Sequence, residues 1–422
     1  MTPPIPKRVV IRAPSRVICL LLATGVSACT GDTGTQPVGD PATTVVKVSI
    51  NAARTSVAVG GTLQLSADAA NAAGTILVGK PIVWVSSRPD IATITSLGLV
   101  KGVGPGTVVI TATSGGRNGN LALSVQAPNQ ITLVSDVGDY IGGGANYSYT
   151  KANAVISLSA SATAVHLSIL GNQQWDAFFV VQNGAQLAIG PYTNATRYPF
   201  QGSGAGLDWS GEGRGCNMLT GSFTIDSVSW SGGVGTAILG IDMRFEQHCE
   251  GGPAALHGTI HWRSDDPAVP PGRGVPIPTN LWQPPSGATP TTGNFVYLQG
   301  DAGEFIVGSS PSLYQIVSVT ATGSNVSISA GGYTGVFQGM NSIPQLQVGY
   351  YAGLMRYPFH NPALGGLTWF GNGRGCNTLT GWFVVDRVNW ANGVLAGIEL
   401  RFEQHCDGQS AALHGAVRWG QF

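Results

Sequence analysis

Apolar and polar residues alternate in short runs along most of this chain, and the runs stop at glycine, proline or asparagine. In "TSVAVGGTLQLSA", Val57 and Val59 precede a Gly60-Gly61 turn, and Leu63, Leu65 and Ala67 follow it. "PIVWVSSRPDIATITSLGLVKGVGPGTVVITAT" continues in the same way, interrupted at Arg88-Pro89-Asp90, Gly98 and Gly104-Pro105-Gly106. A period of two bounded by turn formers is the strand signature, and long apolar repeats at helical spacing are scarce. The pattern predicts an all-β protein. Its clearest piece is "GWFVVDRVNWANGVLAGIELRFEQHC", where Asn392-Gly393 separates two alternating segments, a strong hairpin signal. On the outgoing strand Ile398, Leu400, Phe402, Gln404 and Cys406 point one way, and Glu399, Arg401, Glu403 and His405 the other.

This pattern occurs twice. "MRFEQHCEGGPAALHG" from Met243 and "LRFEQHCDGQSAALHG" from Leu400 agree at 12 of 16 positions. "RYPF" at Arg197 pairs with "RYPF" at Arg356, "GRGCNMLTGSF" with "GRGCNTLTGWF", and "SDVGDYIGGG" with "GDAGEFIVGS". Ser231 to Gly233 takes the hairpin position in the first copy. The copies span residues 131–263 and 294–422, each long enough to fold alone as a jelly-roll-like β-sandwich. Two repeats are too few for a solenoid. Between them, residues 264–293 hold eight prolines. That composition predicts a semi-extended spacer and two modules held apart like beads.

The N-terminus reads as an address. Lys7, Arg8, Arg12 and Arg16 precede "VICLLLATGV", an apolar run too short to span a bilayer. It ends in "VSAC", and small residues before Cys29 resemble the lipobox of bacterial lipoproteins, which implies a signal peptide over residues 1–29 and lipid on Cys29. The alternative is an ordinary secretory signal. Residues 30–44 are small and polar, a flexible tether. From 45 to 126 the order "VGGTLQLSA", "VWVSSRPDIATI", "GLVKGVGPGTVVITATS" resembles the bacterial Ig-like domain of group 2. The resemblance implies a seven-stranded sandwich, a spacer or adhesive role, Trp84 as core tryptophan, and no catalytic residue. The duplicated module resembles one in other exported bacterial proteins beside Ig-like domains, with no activity attached.

Composition narrows the function. Lys plus Arg equal Asp plus Glu at 21 each, and no basic run could track a line of phosphates, so nucleic acid is not an expected partner. Of six cysteines, Cys19 leaves with the signal and Cys29 takes lipid. Cys216, Cys249, Cys376 and Cys406 remain, two per copy, in an exported setting that favours disulfides. Strand parity aims Cys249 and Cys406 at the core, so Cys216–Cys249 and Cys376–Cys406 bridges are expected. Free buried thiols and a zinc site are the alternatives, but CxxC-like spacing is absent.

The polar faces carry the candidate site. Side chains two apart on a strand lie about 6.6–6.8 Å from each other, so Asp242, Arg244, Glu246 and His248 form one row, and Glu399, Arg401, Glu403 and His405 its twin. With His257 and His414 they offer three readings: a ladder of surface ion pairs, a ligand-facing polar groove, or a metal site. Arg244 beside Glu246 would compete for the carboxylate, which favours the ladder. Asp226 and Asp386 precede the hairpins and are expected to cap turns. Arg197, Arg356, Arg214 and Arg374 are expected to tie loops to carbonyls. Most tryptophans should be core; one or two exposed on a polar face would suit sugar stacking.

The expected function is that of a non-enzymatic, lipid-anchored envelope protein: an Ig-like stalk with two binding modules for glycan, cell-wall polymer or surface protein. If the host is Gram-negative, it would sit in the outer membrane. No cofactor or metal is expected. A purely structural envelope protein is the alternative, and a hydrolase using Glu246 or Glu403 is weaker still. Asp242 and Glu246 would stand about 13 Å apart on an ideal strand, beyond the carboxylate spacing of glycosidases.

Overall fold

The computed structural model describes residues 40–422. The lipidation and signal expectations, Cys29 included, lie outside the described residues. Among these no helix is long and apolar enough to cross a membrane.

The first unit has eight strands: β1 (Lys47–Ala52), β2 (Ser56–Ala58), β3 (Thr62–Ala70), β4 (Val83–Ser86), β5 (Ala92–Ile94), β6 (Leu99–Gly102), β7 (Gly106–Ser114) and β8 (Arg117–Gln126). They form two four-stranded sheets, β1-β3-β6-β5 and β2-β8-β7-β4. The resemblance implies seven. The extra strand arises because the chain breaks at Ala53-Arg54-Thr55, leaves the first sheet, and joins the second as β2, parallel to β8. Val57, Leu65, Val100, Ile110 and Leu123 fill the space between the sheets. Trp84 is half-buried rather than central, bridging two apolar clusters.

The first module has ten strands. They are β9 (Gln130–Ser135), β10 (Asn146–Thr150), β11 (Val155–Ala160), β12 (Ala164–Leu170) and β13 (Gln174–Val180). There follow β14 (Gly190–Arg197), β15 (Gly206–Gly211), β16 (Leu219–Trp230), β17 (Ile238–Cys249) and β18 (Ala255–Arg263). The second has β19 (Phe295–Gly300), β20 (Ser312–Tyr314), β21 (Ile316–Thr322), β22 (Asn325–Ala330) and β23 (Tyr333–Gln338). It continues with β24 (Gly349–Arg356), β25 (Gly366–Gly371), β26 (Leu379–Ala391), β27 (Val394–Cys406) and β28 (Ala412–Gly420).

Both modules share one topology, β10-β9-β18-β17-β16-β14-β15-β13-β12-β11 and its twin β20-β19-β28-β27-β26-β24-β25-β23-β22-β21. Each ten-stranded sheet curls into a near-closed, jelly-roll-like sandwich, so strands distant in the order meet across the core. Phe179 of β13 lies 5.5 Å from Phe223 of β16 and from Phe245 of β17. Trp209 and Trp369 are fully buried and stack on Phe245 and Phe402. A Cβ on Gly258 would come 2.0 Å from the Phe245 ring, so only glycine lets this ring lie flat across β18.

The Asn392-Gly393 hairpin forms as the sequence predicts, with φ of 51° and 80°, both values that a two-residue primed turn requires. In the first copy the loop is longer, residues 231–237, because β17 starts only at Ile238.

Two buried glutamines brace the sheets. Gln247 Oε1 accepts from the Trp209 N–H at 2.8 Å and its Nε2 donates to the Trp209 carbonyl at 2.9 Å. Gln404 does the same at Trp369, at 2.7 and 2.9 Å. Parallel pairing of β14 with β15 covers only two positions, so the main chain at Trp209 needs another partner. The side-chain amide supplies it, satisfying polar groups that would be costly to bury alone.

The proline-rich segment is not a free spacer. Asp265 accepts from Gln126, and Asp266 from the Asn129 N–H. Gly274 pairs antiparallel with Tyr350 through hydrogen bonds of 2.7 and 2.9 Å, and Arg273 Nε donates to the Val348 carbonyl. Buried Asn361 of the second module donates to the Asn153 carbonyl at 2.8 Å and to Asn172 Oδ1 at 2.9 Å. The modules therefore touch, against the expectation of separate beads: proline fixes an extended chain but does not stop it from docking.

Candidate functional site

Strand parity places the row where the sequence puts it. In β17, Met243, Phe245, Gln247 and Cys249 are buried, whereas Arg244 and Glu246 are exposed and Asp242 and His248 half-buried. In β27 the odd-even split repeats, with Glu399, Arg401, Glu403 and His405 all half-buried. Cys216 is bonded to Cys249 and Cys376 to Cys406, with Cα separations of 5.1 and 4.9 Å. The glycine-rich turns before Cys216 and Cys376 swing them onto the facing strand.

The arginines do not pair with the neighbouring glutamates. Asp226 is the extra residue of a β-bulge between Ile225 and Ser227, and it forms an ion pair with Arg244. Asp386, in the same bulge of the second copy, takes Arg401 through Nε and Nη2, each at 2.8 Å. The expected turn-capping role of these aspartates is thus corrected. A bulge breaks the alternation and re-aims one side chain, here bringing the acid onto the outer face beside arginine.

Each glutamate is set between two histidines. Glu246 lies 3.0 Å from His248 on its own strand and 3.4 Å from His257, its register partner on β18. His257 is 3.6 Å from Asp136. In the second copy Glu403 lies 3.2 Å from His405 and 3.3 Å from His414, and His414 is 3.2 Å from Asp301. Asp136 and Asp301 also accept the N–H of Ala255 and Ala412, each at 3.0 Å. Sequence reasoning missed these two aspartates. The signal was present, since both stand in the paired segments "SDVGDY" and "GDAGEF".

The electrostatics favour a fixed charge over a proton shuttle. His414 beside it holds the Glu403 carboxyl down at about 2 against the opposing effect of burial, helped by His405 and Trp382. Burial pulls the His414 imidazole down, but Glu403 and Asp301 outweigh it and raise it above its ordinary value. Asp242 is also held at about 2: burial opposes, while Arg263, Ser227 and His261 together prevail. A carboxylate at about 2 stays ionised at neutral pH and makes a poor general acid. Among the described residues no group of three or more His, Cys, Asp or Glu is arranged to hold a metal ion.

The two rows differ in exposure. The Arg244 side chain is 58% exposed and Arg401 13%; Glu246 is 49% and Glu403 23%. His257 and His414 follow at 41% and 11%. The cause is the linker, together with Trp382, which stands beside Glu403 where the first module has Ser222. Trp282 stacks on His414 with ring centres 5.0 Å apart, and its carbonyl accepts from Arg401 Nη1 at 2.7 Å. Trp282 and Ala288 also cover Phe295, Tyr297 and Ala416. The matching floor in the first module is Gln130, Thr132 and Thr259, by register. There the row borders a shallow cavity of about 300 Å³ with Thr132, Ser222, Thr224 and Thr259.

The remaining repeated residues are structural. Arg197 and Arg356 donate to the Asn217 and Asn377 carbonyls at 3.3 and 3.2 Å, and Arg374 to that of Phe305 at 3.0 Å. Arg214 instead lies over the Trp175 ring. No tryptophan is among the exposed large apolar residues, so an open stacking platform of the kind expected on a polar face is not formed.

An Ig-like sandwich followed by two β-sandwich repeats is consistent with a non-enzymatic, multi-domain surface protein of structural or adhesion type. Residues 44–125 match the bacterial Ig-like domain (group 2) family. Comparison with curated proteins finds no match. Among solved structures, the chain is similar to the crystal structure of domains 4 and 5 of the S-layer protein SbsC. The identity is 12% and the TM-score 0.20, over 52% of this chain and 98% of that one.

Proposed function

We propose that this is an exported, lipid-anchored bacterial envelope protein whose Ig-like stalk carries two adhesion-type modules for glycan, cell-wall polymer or surface protein. The basic, apolar and small residues ending at Cys29 support the anchor, and in a Gram-negative host the protein would sit in the outer membrane. One observation carries the binding role. The row of the second module already holds an extended segment, with a ring on His414 and a carbonyl on Arg401, while the row of the first lies open.

The test has two arms. Metabolic labelling with an alkyne fatty acid should tag the chain and place it in the membrane fraction, and Cys29→Ala should lose both. The purified full-length chain should retain a ligand on a glycan array or in a pull-down from envelope extract. Silence in both screens would leave a purely structural envelope role.

A further inference from the structure

The seam between the modules holds a second feature that the duplicated row does not explain. Module 2 brings Tyr350 from β24, Thr378 from the approach to β26, Thr380 and Trp382 from β26, and Glu403 and His405 from β27 to one cleft. Asn172 and Gln173, from the β12–β13 turn of module 1, form its opposite lip. The cleft measures about 640 Å³, within the roughly 300–1,000 Å³ of small-molecule sites, which favour domain interfaces.

Its polar groups are pre-set. Asn361, 1% exposed, donates to Asn172 Oδ1 and fixes that amide by its oxygen. A relay does the same for Gln173: the Trp175 indole N–H donates to Tyr149 Oη at 2.7 Å, and Tyr149 donates to Gln173 Oε1 at 3.0 Å. With both oxygens engaged, the two NH₂ groups are left as donors on the lip. Opposite them stand a carboxylate, an imidazole and two threonine hydroxyls. Half-buried Tyr350 supplies the apolar wall, with Trp382, 8% exposed, packed behind it at 5.9 Å between ring centres. The lining has no lysine or arginine, and Glu403 is its one carboxylate. In module 1 the positions of Tyr350 and Trp382 are Pro191 and Ser222 by register, so this chemistry is not duplicated.

We propose that the seam cleft binds an oligosaccharide, neutral or amine-bearing, between the amide lip of module 1 and the Tyr350 wall of module 2. Fixed donors and acceptors match sugar hydroxyls, and an aromatic ring covers the apolar face of a pyranose. The lining offers no lysine or arginine to pair with an acidic sugar, and its carboxylate disfavours uronic acids. The proposal rests on the reading of the modules as binding units, but it replaces two equal sites with one composite site.

The experiment titrates the full-length chain calorimetrically with cellotetraose, chitotetraose, the glucosamine tetramer and tetragalacturonate. At least one of the first three should bind with a Kd below about 1 mM, and tetragalacturonate at least about tenfold more weakly. Gln173→Glu keeps the acceptor for Tyr149 but replaces the donor. It should weaken binding about tenfold or more, as should Tyr350→Ala, both with melting temperatures near that of the parent. Lys101→Ala, on an exposed position of the Ig-like unit, should change nothing. Binding that survives Gln173→Glu and Tyr350→Ala, or that is lost in Lys101→Ala, overturns the cleft and leaves the wider binding role standing. Preference for tetragalacturonate, or no saccharide binding at all, also overturns it. The wider role falls only if the protein pull-down is silent as well.

Discussion

Replacing the same glutamate in the two copies separates a buried charge network from a solvated one. Glu403 moves from an ordinary 4.5 to about 2 on folding, a difference worth roughly 3 kcal/mol of stability. Because the folded value is depressed, that contribution is present above about pH 4.5 and is lost as pH falls toward 2. His414 works in the opposite direction. Its folded value is raised above 6.5, so its contribution is full below 6.5 and fades as pH rises through the folded value. Module 2 should therefore be most stable between about pH 4.5 and 6.5. Glu403→Gln should cost about 2–3 kcal/mol near pH 6 and flatten the acid limb. Glu246→Gln, at a side chain 49% exposed, should cost less than about 1 kcal/mol. Differential scanning calorimetry from pH 2.5 to 8 resolves this, because the modules unfold as separable transitions when only one is weakened. Equal costs in the two copies, or an acid limb as steep in Glu403→Gln as in the parent, would refute the reasoning.

Three further outcomes are expected. Gln404→Leu leaves the Trp369 N–H and carbonyl buried without a partner and should lower stability by roughly 2–5 kcal/mol in urea denaturation, with Gln247→Leu equivalent in module 1. Opening the Cys216–Cys249 loop, with a separation of 33 residues, by a double serine substitution should cost about 3–4 kcal/mol, read as a lower midpoint with and without reductant. Trp282→Ala should release the linker from module 2, raising hydrogen exchange at Gly274 and Tyr350 and exposing His414 to diethylpyrocarbonate. Unchanged protection there would mean that the pairing of Gly274 with Tyr350 alone holds the segment.

The alternation of β17 and β27 was readable because a period of two leaves no choice once Phe245 and Phe402 are taken as core. Cysteine pairing followed from the same parity. The partner of Arg244 was not readable. Asp226 reaches the outer face only through an inserted residue, and a one-residue insertion looks like noise in an alternating pattern. Gln247 shows the opposite limit: its inward position was plain, but its purpose depends on how little of β15 is covered by β14, a long-range fact. The unequal exposure of the two rows was hidden for a simpler reason. Their own sequences are nearly the same, and besides Trp382 in place of Ser222 the difference lies in a proline-rich stretch whose composition describes stiffness but not where it rests. Trp282, which has no twin in the first copy, was the residue that marked it.

The way residues 271–288 lie on the second sandwich bears on where this chain can be divided. A cut at Gly293, the natural place by homology between the copies, would strip Phe295, Tyr297 and Ala416 of their cover and take away the carbonyl that Arg401 grips. The truncated piece would present a sticky apolar patch and associate with itself, whereas a fragment starting near Pro267 would carry its own lid. The inheritable unit at the C-terminus is thus longer than the repeat that defines it.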